Sequence, residues 1–551
     1  MRKLLLMFLL VYQVNVYGQI EFRNPILSGF YPDPSVVRVG EDYYLVNSTF
    51  AYFPGIPVFH SKDLKNWKQI ASVISRPSQM NFLGDGTSRG LFAPAISYHQ
   101  GVFYLTCTHV DKKGNFVVTA KNPAGPWSDP VYLPQVKGID PSLFFDQDKA
   151  YIVYNSDAPD GKALYSGHRT IRCFQFDPVN LTVKGEEEIL VNGGADFPKK
   201  PVWIEGPHLF KRNGFYYLSA AEGGTGVNHS QVIFRSDSPS GPFIPYKNNP
   251  ILTQRDLDPS RKNPITSTGH ADFIEGPDGK TYAVFLGVRP YEGNYYNTGR
   301  ETFIAPVSWL DGWPIINPGH KSVQYKYSAG FKEYKQKDAL PQNGDFAYRL
   351  SFPGKIDESL LFLRTRDTSW FTFDKPDGLR FKLGFETIMG GGNPSFIGKR
   401  QQHLRCEAST KIDFATKKEN EKAGLVIFQS EYNFYYLCKS FSKGHPVVQL
   451  FQGNPVDRRM DIIAESSVNT QQLLLKIAVN RERCDFYFAD QKGHWKLLKS
   501  GLDARLLSTQ SAGGFIGSLF GLYATSSGKP SLNTASFKWL DYSGNDRNDL
   551  P

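Results

Sequence analysis

The chain is poor in sulfur. Its 551 residues include five cysteines and five methionines. Cys107, Cys173, Cys406, Cys438 and Cys484 are odd in number and widely spaced. None forms a CxxC or zinc pattern, which excludes a disulfide-framed scaffold and a cysteine-held metal. They read as mostly buried apolar fillers, with one disulfide left open. Long apolar runs are missing as well. Beyond the N-terminus, no stretch approaches the ~20 apolar residues that cross a bilayer. Dense basic runs are also missing. The net charge of +10, from 63 basic and 53 acidic residues, is mild for this length. With no nucleic-acid motif beside it, that charge reads as a solvated, slightly basic surface, and no nucleic-acid partner is expected.

The N-terminus has its own character. Met1-Arg2-Lys3 precedes an apolar run over residues 4–11, and Val16-Tyr17-Gly18 stands before Gln19 as a cleavage site. This predicts a signal peptide over 1–18 and a mature chain secreted across an inner membrane, with the periplasm as its destination. No cysteine follows to take a lipid anchor.

What is abundant is β-structure and aromatic side chains, which make up 14% of the residues. The clearest unit is Glu205-Gly206-Pro207-His208-Leu209-Phe210-Lys211-Arg212-Asn213-Gly214-Phe215-Tyr216-Tyr217-Leu218. It predicts two short strands around an Asn-Gly hairpin turn. Similar units begin near Pro34, Pro94, Pro141 and Ala271. Their spacing, roughly 45–65 residues, is the period of propellers and arrays. Five such units predict a five-bladed β-propeller. The residues just before each unit are Asp33, Phe92-Ala93, Asp140, Glu205-Gly206 and Gly269-His270. If the units are equivalent, these residues meet at one axis, and three carboxylates and a histidine converge.

A second pattern recurs in Ser61-Lys62-Asp63-Leu64-Lys65-Asn66-Trp67, Lys121-Asn122-Pro123-Ala124-Gly125-Pro126-Trp127 and Ser236-Asp237-Ser238-Pro239-Ser240-Gly241-Pro242-Phe243. These read as outer turns whose closing aromatic packs between blades. The organisation is therefore all-β: a five-bladed propeller over 19–325, a polar linker over 326–344, and a second domain over 345–551. The longer strand runs of that last part predict a β-sandwich of two antiparallel sheets.

Paired carboxylates flanking a bond are the chemistry of glycoside hydrolysis. One must be held protonated, by burial or by a like charge, and the other must stay ionised. Asp33, Asp140 and Glu205 can supply both states. Glu275-Gly276-Pro277 repeats the EGP motif at a turn far from the axis and reads as structural.

The motifs now resemble a known family. Asn24-Pro25-Ile26-Leu27-Ser28-Gly29-Phe30-Tyr31-Pro32-Asp33-Pro34-Ser35, Leu91-Phe92-Ala93-Pro94, Ile139-Asp140-Pro141-Ser142, Glu205-Gly206-Pro207-His208, Ala221-Glu222-Gly223-Gly224-Thr225, Gly269-His270-Ala271, Gly299-Arg300-Glu301-Thr302 and Asp311-Gly312-Trp313-Pro314 are similar in order and type to glycoside hydrolase family 43, in its β-xylosidase/α-L-arabinofuranosidase branch. The resemblance extends to a concanavalin- or lectin-like C-terminal sandwich. It implies an inverting mechanism with Asp33 as general base, Glu205 as general acid and Asp140 as the group that tunes the acid's pKa. It implies that Arg300 reaches both the sugar hydroxyls and Asp140, that Phe50 and Phe92 wall the sugar pocket, and that Phe515 reaches its rim from the sandwich. His270 becomes an axial histidine, facing a bound cation such as calcium through water in some relatives. No cofactor is required, and no metal ligand set is assigned.

Three departures touch sugar choice. Phe92 stands where the family often has tryptophan, Ala51 replaces an acidic residue, and the segment between Pro290 and Gly299 is short. They fall where xylosidases hold the second xylose. The expected enzyme is thus an exo-acting inverting hydrolase. It releases terminal α-L-arabinofuranosyl units from plant hemicellulose side chains or oligosaccharides, of the arabinoxylan or xyloglucan type. A β-xylosidase or dual-activity enzyme is the alternative. A non-catalytic carbohydrate-binding propeller is the alternative from another class.

Overall fold

The structure, a computed structural model, describes residues 20–375 and 378–546. The leader expected over 1–18 lies outside the described residues. Five antiparallel blades follow in sequence. Their innermost strands are Ser35–Val39, Ala95–His99, Ile139–Asp146, Glu205–Arg212 and Thr266–Glu275. Each pairs with the next strand through a tight turn, glycine-containing in four blades and Gln147-Asp148 in the third.

Side chains near the axis link the blades into a ring. Ser35 Oγ donates to Asp272 of blade five and accepts from the Ile96 N–H of blade two. Thr106 of blade two donates to the Pro141 carbonyl, Ser142 of blade three to the Pro207 carbonyl, and the Ala271 N–H of blade five to Gln231 of blade four. These bonds satisfy backbone groups that the inner strands leave open at the axis. Trp67, Trp127 and Phe243, which close the outer turns, are buried. Glu275 ends its strand at the far turn, exposed, and pairs with Arg38.

Part of the segment expected as linker is built into the structure. Lys326–Ala329 pairs with Ile20–Arg23 at the start of the described chain. Downstream, the Tyr334 N–H donates to Asp63, and the Gln342 carbonyl accepts from Ser28. The segment therefore straps the first blade to the sandwich rather than spacing the two apart.

The sandwich consists of two eight-stranded antiparallel sheets among the described residues. One of them borrows a strand. Tyr52–Phe53, between the second and third strands of blade one, pairs with Leu361–Leu363 at the sheet's edge. The apolar core follows the same path. Phe30, Phe50 and Tyr52 pack in one cluster with Leu361, Leu363, Phe396 and Ile516. All five cysteines are buried and free, so the disulfide left open by the sequence does not form.

Candidate active site

The inner strands begin irregularly, and that irregularity aims the side chains. Asp33, Asp140 and His270 have left-handed backbone, with φ of 52°, 57° and 53°. For non-glycine residues this costs energy and is typical of functional sites. The ladders break between Ile139 and Ser142, between Glu205 and His208, and on both sides of Gly269. Bulges of this kind re-aim a side chain at the end of a strand. Here they turn Asp140, Glu205 and His270 into one pocket of about 250 Å3. All eight site residues expected from the sequence line it: Asp33, Asp140, Glu205, His270, Arg300, Phe50, Phe92 and Phe515.

Arg300 differs from expectation in its partner. Its guanidinium donates to the two oxygens of Asp33, at 3.1 and 3.4 Å, and not to Asp140. The backbone explains this. The Tyr31 N–H donates to the Arg300 carbonyl at 3.0 Å, so Arg300, just before the strand Glu301–Leu310, lies beside the segment that carries Asp33. Ser48 Oγ donates to Asp33 Oδ2 at 2.6 Å, and His270 Nδ1 lies 3.8 Å from Oδ1. Burial pushes Asp33 up, but Arg300, His270 and Ser48 together bring it below the ordinary carboxylate value. Asp33 is the ionised group.

Asp140 and Glu205 go the other way. Burial, and then the charge of Asp33, raises Asp140 to about 7, although the Gly206 N–H donates to it at 3.1 Å. Burial, and then the charge of Asp140, holds Glu205 well above its ordinary value. The two share one proton economy and titrate as a pair. The pocket therefore contains one carboxylate held ionised and one carboxylic acid held protonated, the division that acid–base hydrolysis of a glycoside needs.

Three aromatic rings wall the pocket. Phe50 stacks on Phe515 at 6.1 Å between centroids, and Phe92 meets Phe50 edge-on at 5.8 Å and Phe515 at 5.6 Å. Phe515 comes from the sandwich, and its N–H donates to Ser88 Oγ at 3.1 Å. The Arg300 guanidinium lies 5.3 Å from the Phe515 ring, so the sandwich also borders the charged floor. Apolar ring faces beside a few polar groups suit a sugar, whose C–H faces and hydroxyls alternate.

Two residues with no role assigned from sequence belong here. Trp203, two positions before Glu205, stands at the mouth with φ of 58° and its ring beneath the Arg169 guanidinium at 4.7 Å. Its indole N–H also acts on the Glu205 carboxyl. His229 lies behind Glu205, with Nε2 3.8 Å from Oε1. The matched motif Ala221-Glu222-Gly223-Gly224-Thr225 stops four residues short of it. Gly224 and Thr225 of that motif do line the pocket, whereas Glu222 turns aside and accepts from the Ala195 N–H.

Among the described residues, no group of three or more His, Cys, Asp or Glu side chains could hold a metal ion. A cation facing His270 would have to be held largely by water. No helix of the described chain is long and apolar enough to cross a membrane.

Comparison with known proteins adds to this geometry. Residues 22–314 match the model of glycosyl hydrolases family 43, and residues 352–543 that of the beta xylosidase C-terminal concanavalin A-like domain. A xylosidase/arabinosidase of Butyrivibrio fibrisolvens is 38% identical over 94% of this chain and 98% of its own. A non-reducing end alpha-L-arabinofuranosidase of Bacteroides ovatus is 36% identical over 98% of both. The solved xylan beta-1,4-xylosidase of Bacillus halodurans superposes with a TM-score of 0.86 at 31% identity, over 95% of this chain and all of that one.

Proposed function

The chain belongs to glycoside hydrolase family 43, and from that premise we propose that it is an exo-acting, inverting α-L-arabinofuranosidase. Its substrates are the terminal arabinofuranosyl units of plant hemicellulose side chains or oligosaccharides, of the arabinoxylan or xyloglucan type. The observation that carries the reading is the split of charge between Asp33 and Glu205 in one pocket.

Asp33 takes a proton from water as the water oxygen attacks the anomeric carbon. Glu205 gives its proton to the leaving oxygen as the glycosidic bond breaks. The sugar leaves with inverted configuration, Asp33 returns its proton to solvent, and Glu205 regains one. Asp140 supports the protonated state of Glu205. Arg300 keeps Asp33 ionised and offers its remaining donors to sugar hydroxyls. Phe50, Phe92 and Phe515 pack on the sugar. Trp203 lies on the acid's side of the pocket, where the leaving group departs. His270 packs behind Asp33, and a calcium ion beyond it is compatible with the reading but not required. The predicted leader supports export, with action in the periplasm.

The similarity to a xylosidase/arabinosidase and to a xylan xylosidase favours one second reading, β-xylosidase or dual activity. Incubation with nitrophenyl α-L-arabinofuranoside and β-D-xyloside decides. Faster turnover of the arabinoside supports the proposal. Faster turnover of the xyloside replaces it with the second reading. Binding of oligosaccharide with no turnover of either leaves a non-catalytic carbohydrate-binding propeller.

A further inference from the structure

Glu205 has one titratable neighbour that the reaction scheme does not use. His229 immediately precedes the strand Ser230–Ser236 of blade four and is completely buried. Its Nδ1 lies 3.1 Å from the Ser267 carbonyl oxygen, which can only accept. The neutral ring must therefore carry its proton on Nδ1. Nε2 is left as a bare lone pair with no hydrogen-bond partner. That lone pair lies 3.8 Å from Oε1 of Glu205. The ring is also held from the side. A Cβ on Gly269 would come within 2.8 Å of it, so the absence of a side chain at 269 makes its seat.

A lone pair beside a carboxyl group is selective. In the carboxylate both oxygens are negative, and Oε1 is repelled. In the acid, Oε1 either carries the proton and is attracted, or is a weakly negative carbonyl oxygen. Each acid form is preferred over the anion. We propose that His229 is a positioning residue that keeps Glu205 in its acid form, by presenting a fixed lone pair rather than an N–H. The proposal rests on Glu205 as the general acid. The other groups that face Glu205 divide by sign: Asp140 and Asp33 act with His229, whereas Arg300, Arg169 and the Trp203 indole N–H act against it. Burial lowers the imidazole pKa to about 4, so His229 stays neutral across the working range. A protonated ring would reverse its effect.

The test uses His229→Gln and His229→Phe in the full chain. Glutamine can turn an amide N–H toward the carboxylate, and phenylalanine fills the seat without a lone pair. The alkaline limb of kcat/KM should move to lower pH, by about one unit for glutamine and less for phenylalanine. Losses should be about tenfold greater on alkyl or glycosyl arabinofuranosides, whose leaving groups need protonation, than on the nitrophenyl compound. An unmoved limb, or equal losses on both substrate types, overturns the inference.

Glu205→Gln measured in parallel separates the two levels. If it loses equally on both substrate types, the acid assignment itself fails. If it behaves as an acid while the His229 variants leave the limb in place, only the present inference fails. Should neither His229 variant fold, 15N-histidine NMR of the unaltered enzyme decides. A His229 ring protonated at Nδ1 alone from pH 5 to 9 is required, and a protonated Nε2 overturns the proposal.

Discussion

Arg300 grips Asp33 by both carboxyl oxygens, and this pair, not a pair with Asp140, fixes the charge of the pocket floor. Asp33 is buried, and without the guanidinium its desolvation would lose the largest of the groups that oppose it. Arg300→Ala should therefore raise the Asp33 pKa. The acidic limb of kcat/KM should move up by about one pH unit or more. Activity at neutral pH should fall by about 10²-fold, from the lost sugar contacts together with the weakened base. A pH–rate profile on nitrophenyl arabinofuranoside checks both. An unmoved acidic limb would mean that Arg300 serves the substrate alone.

Asp140 carries two consequences of opposite value. Its charge supports the proton of Glu205, so Asp140→Asn should move the alkaline limb to lower pH and cost about 10²–10⁴-fold on natural glycosides. The same carboxyl also destabilises the fold. Its folded pKa of about 7 lies above the unfolded value, so the folded chain holds the extra proton, and stability falls as pH rises from about 4 to about 7. Asp140→Asn removes that loss. Its melting temperature should gain on the parent between pH 4 and pH 8, by the equivalent of about 2–4 kcal/mol.

Phe515 offers a cleaner split of kinetic constants. It borders the pocket through ring contacts with Phe50 and Phe92 and carries no group that can give or take a proton. Phe515→Ala should raise KM more than it lowers kcat, because such a wall binds ground and transition states alike. A fall in kcat of equal size would show that the ring instead holds Arg300, whose guanidinium lies 5.3 Å away.

Arg364 tests the joint between the domains. It is fully buried and donates to the Asp85 carbonyl at 2.6 Å and to Glu431 at 2.6 Å. Its own N–H donates to the Ala51 carbonyl at 2.8 Å, one residue from the pocket wall Phe50. Arg364→Ala leaves Glu431 with only its two bonds from Thr87 and the Asp85 carbonyl without its donor, and should cost about 3 kcal/mol in thermal or denaturant unfolding. Glu431→Gln, which leaves a neutral partner, should cost less.

The five blades were legible because each is a local event. Alternating β-rich runs around tight two-residue or Asx-Gly turns fold within a few dozen residues, and their repeat puts Asp33, Asp140 and Glu205 in register. What escaped is non-local. Tyr52–Phe53 reads as one more piece of blade one, and nothing nearby says that it pairs with Leu361–Leu363, some three hundred residues later. Arg300 was expected against Asp140, and only the bond between the Tyr31 N–H and the Arg300 carbonyl shows that Asp33 is closer. Trp203 stands two residues before the hairpin unit, yet its aim depends on a left-handed φ that composition does not reveal. His229 had a faint signal, a histidine just past a Gly-Gly-Thr turn. Its seat at Gly269 appears only when blades four and five meet.

The strand Tyr52–Phe53 has a consequence for the order in which the molecule can be made. Synthesis delivers it early, together with Asp33 and Phe50. Its partner Leu361–Leu363 comes far later, and Phe515 comes close to the end. A nascent chain that has completed all five blades still has an open sheet edge at Tyr52 and an unroofed cavity. The carboxylates are then in place, but the dry enclosure that sets their proton affinities is not. Competence therefore arrives late, with the sandwich ring of Phe515 that closes the pocket over carboxylates laid down some three hundred residues or more before it.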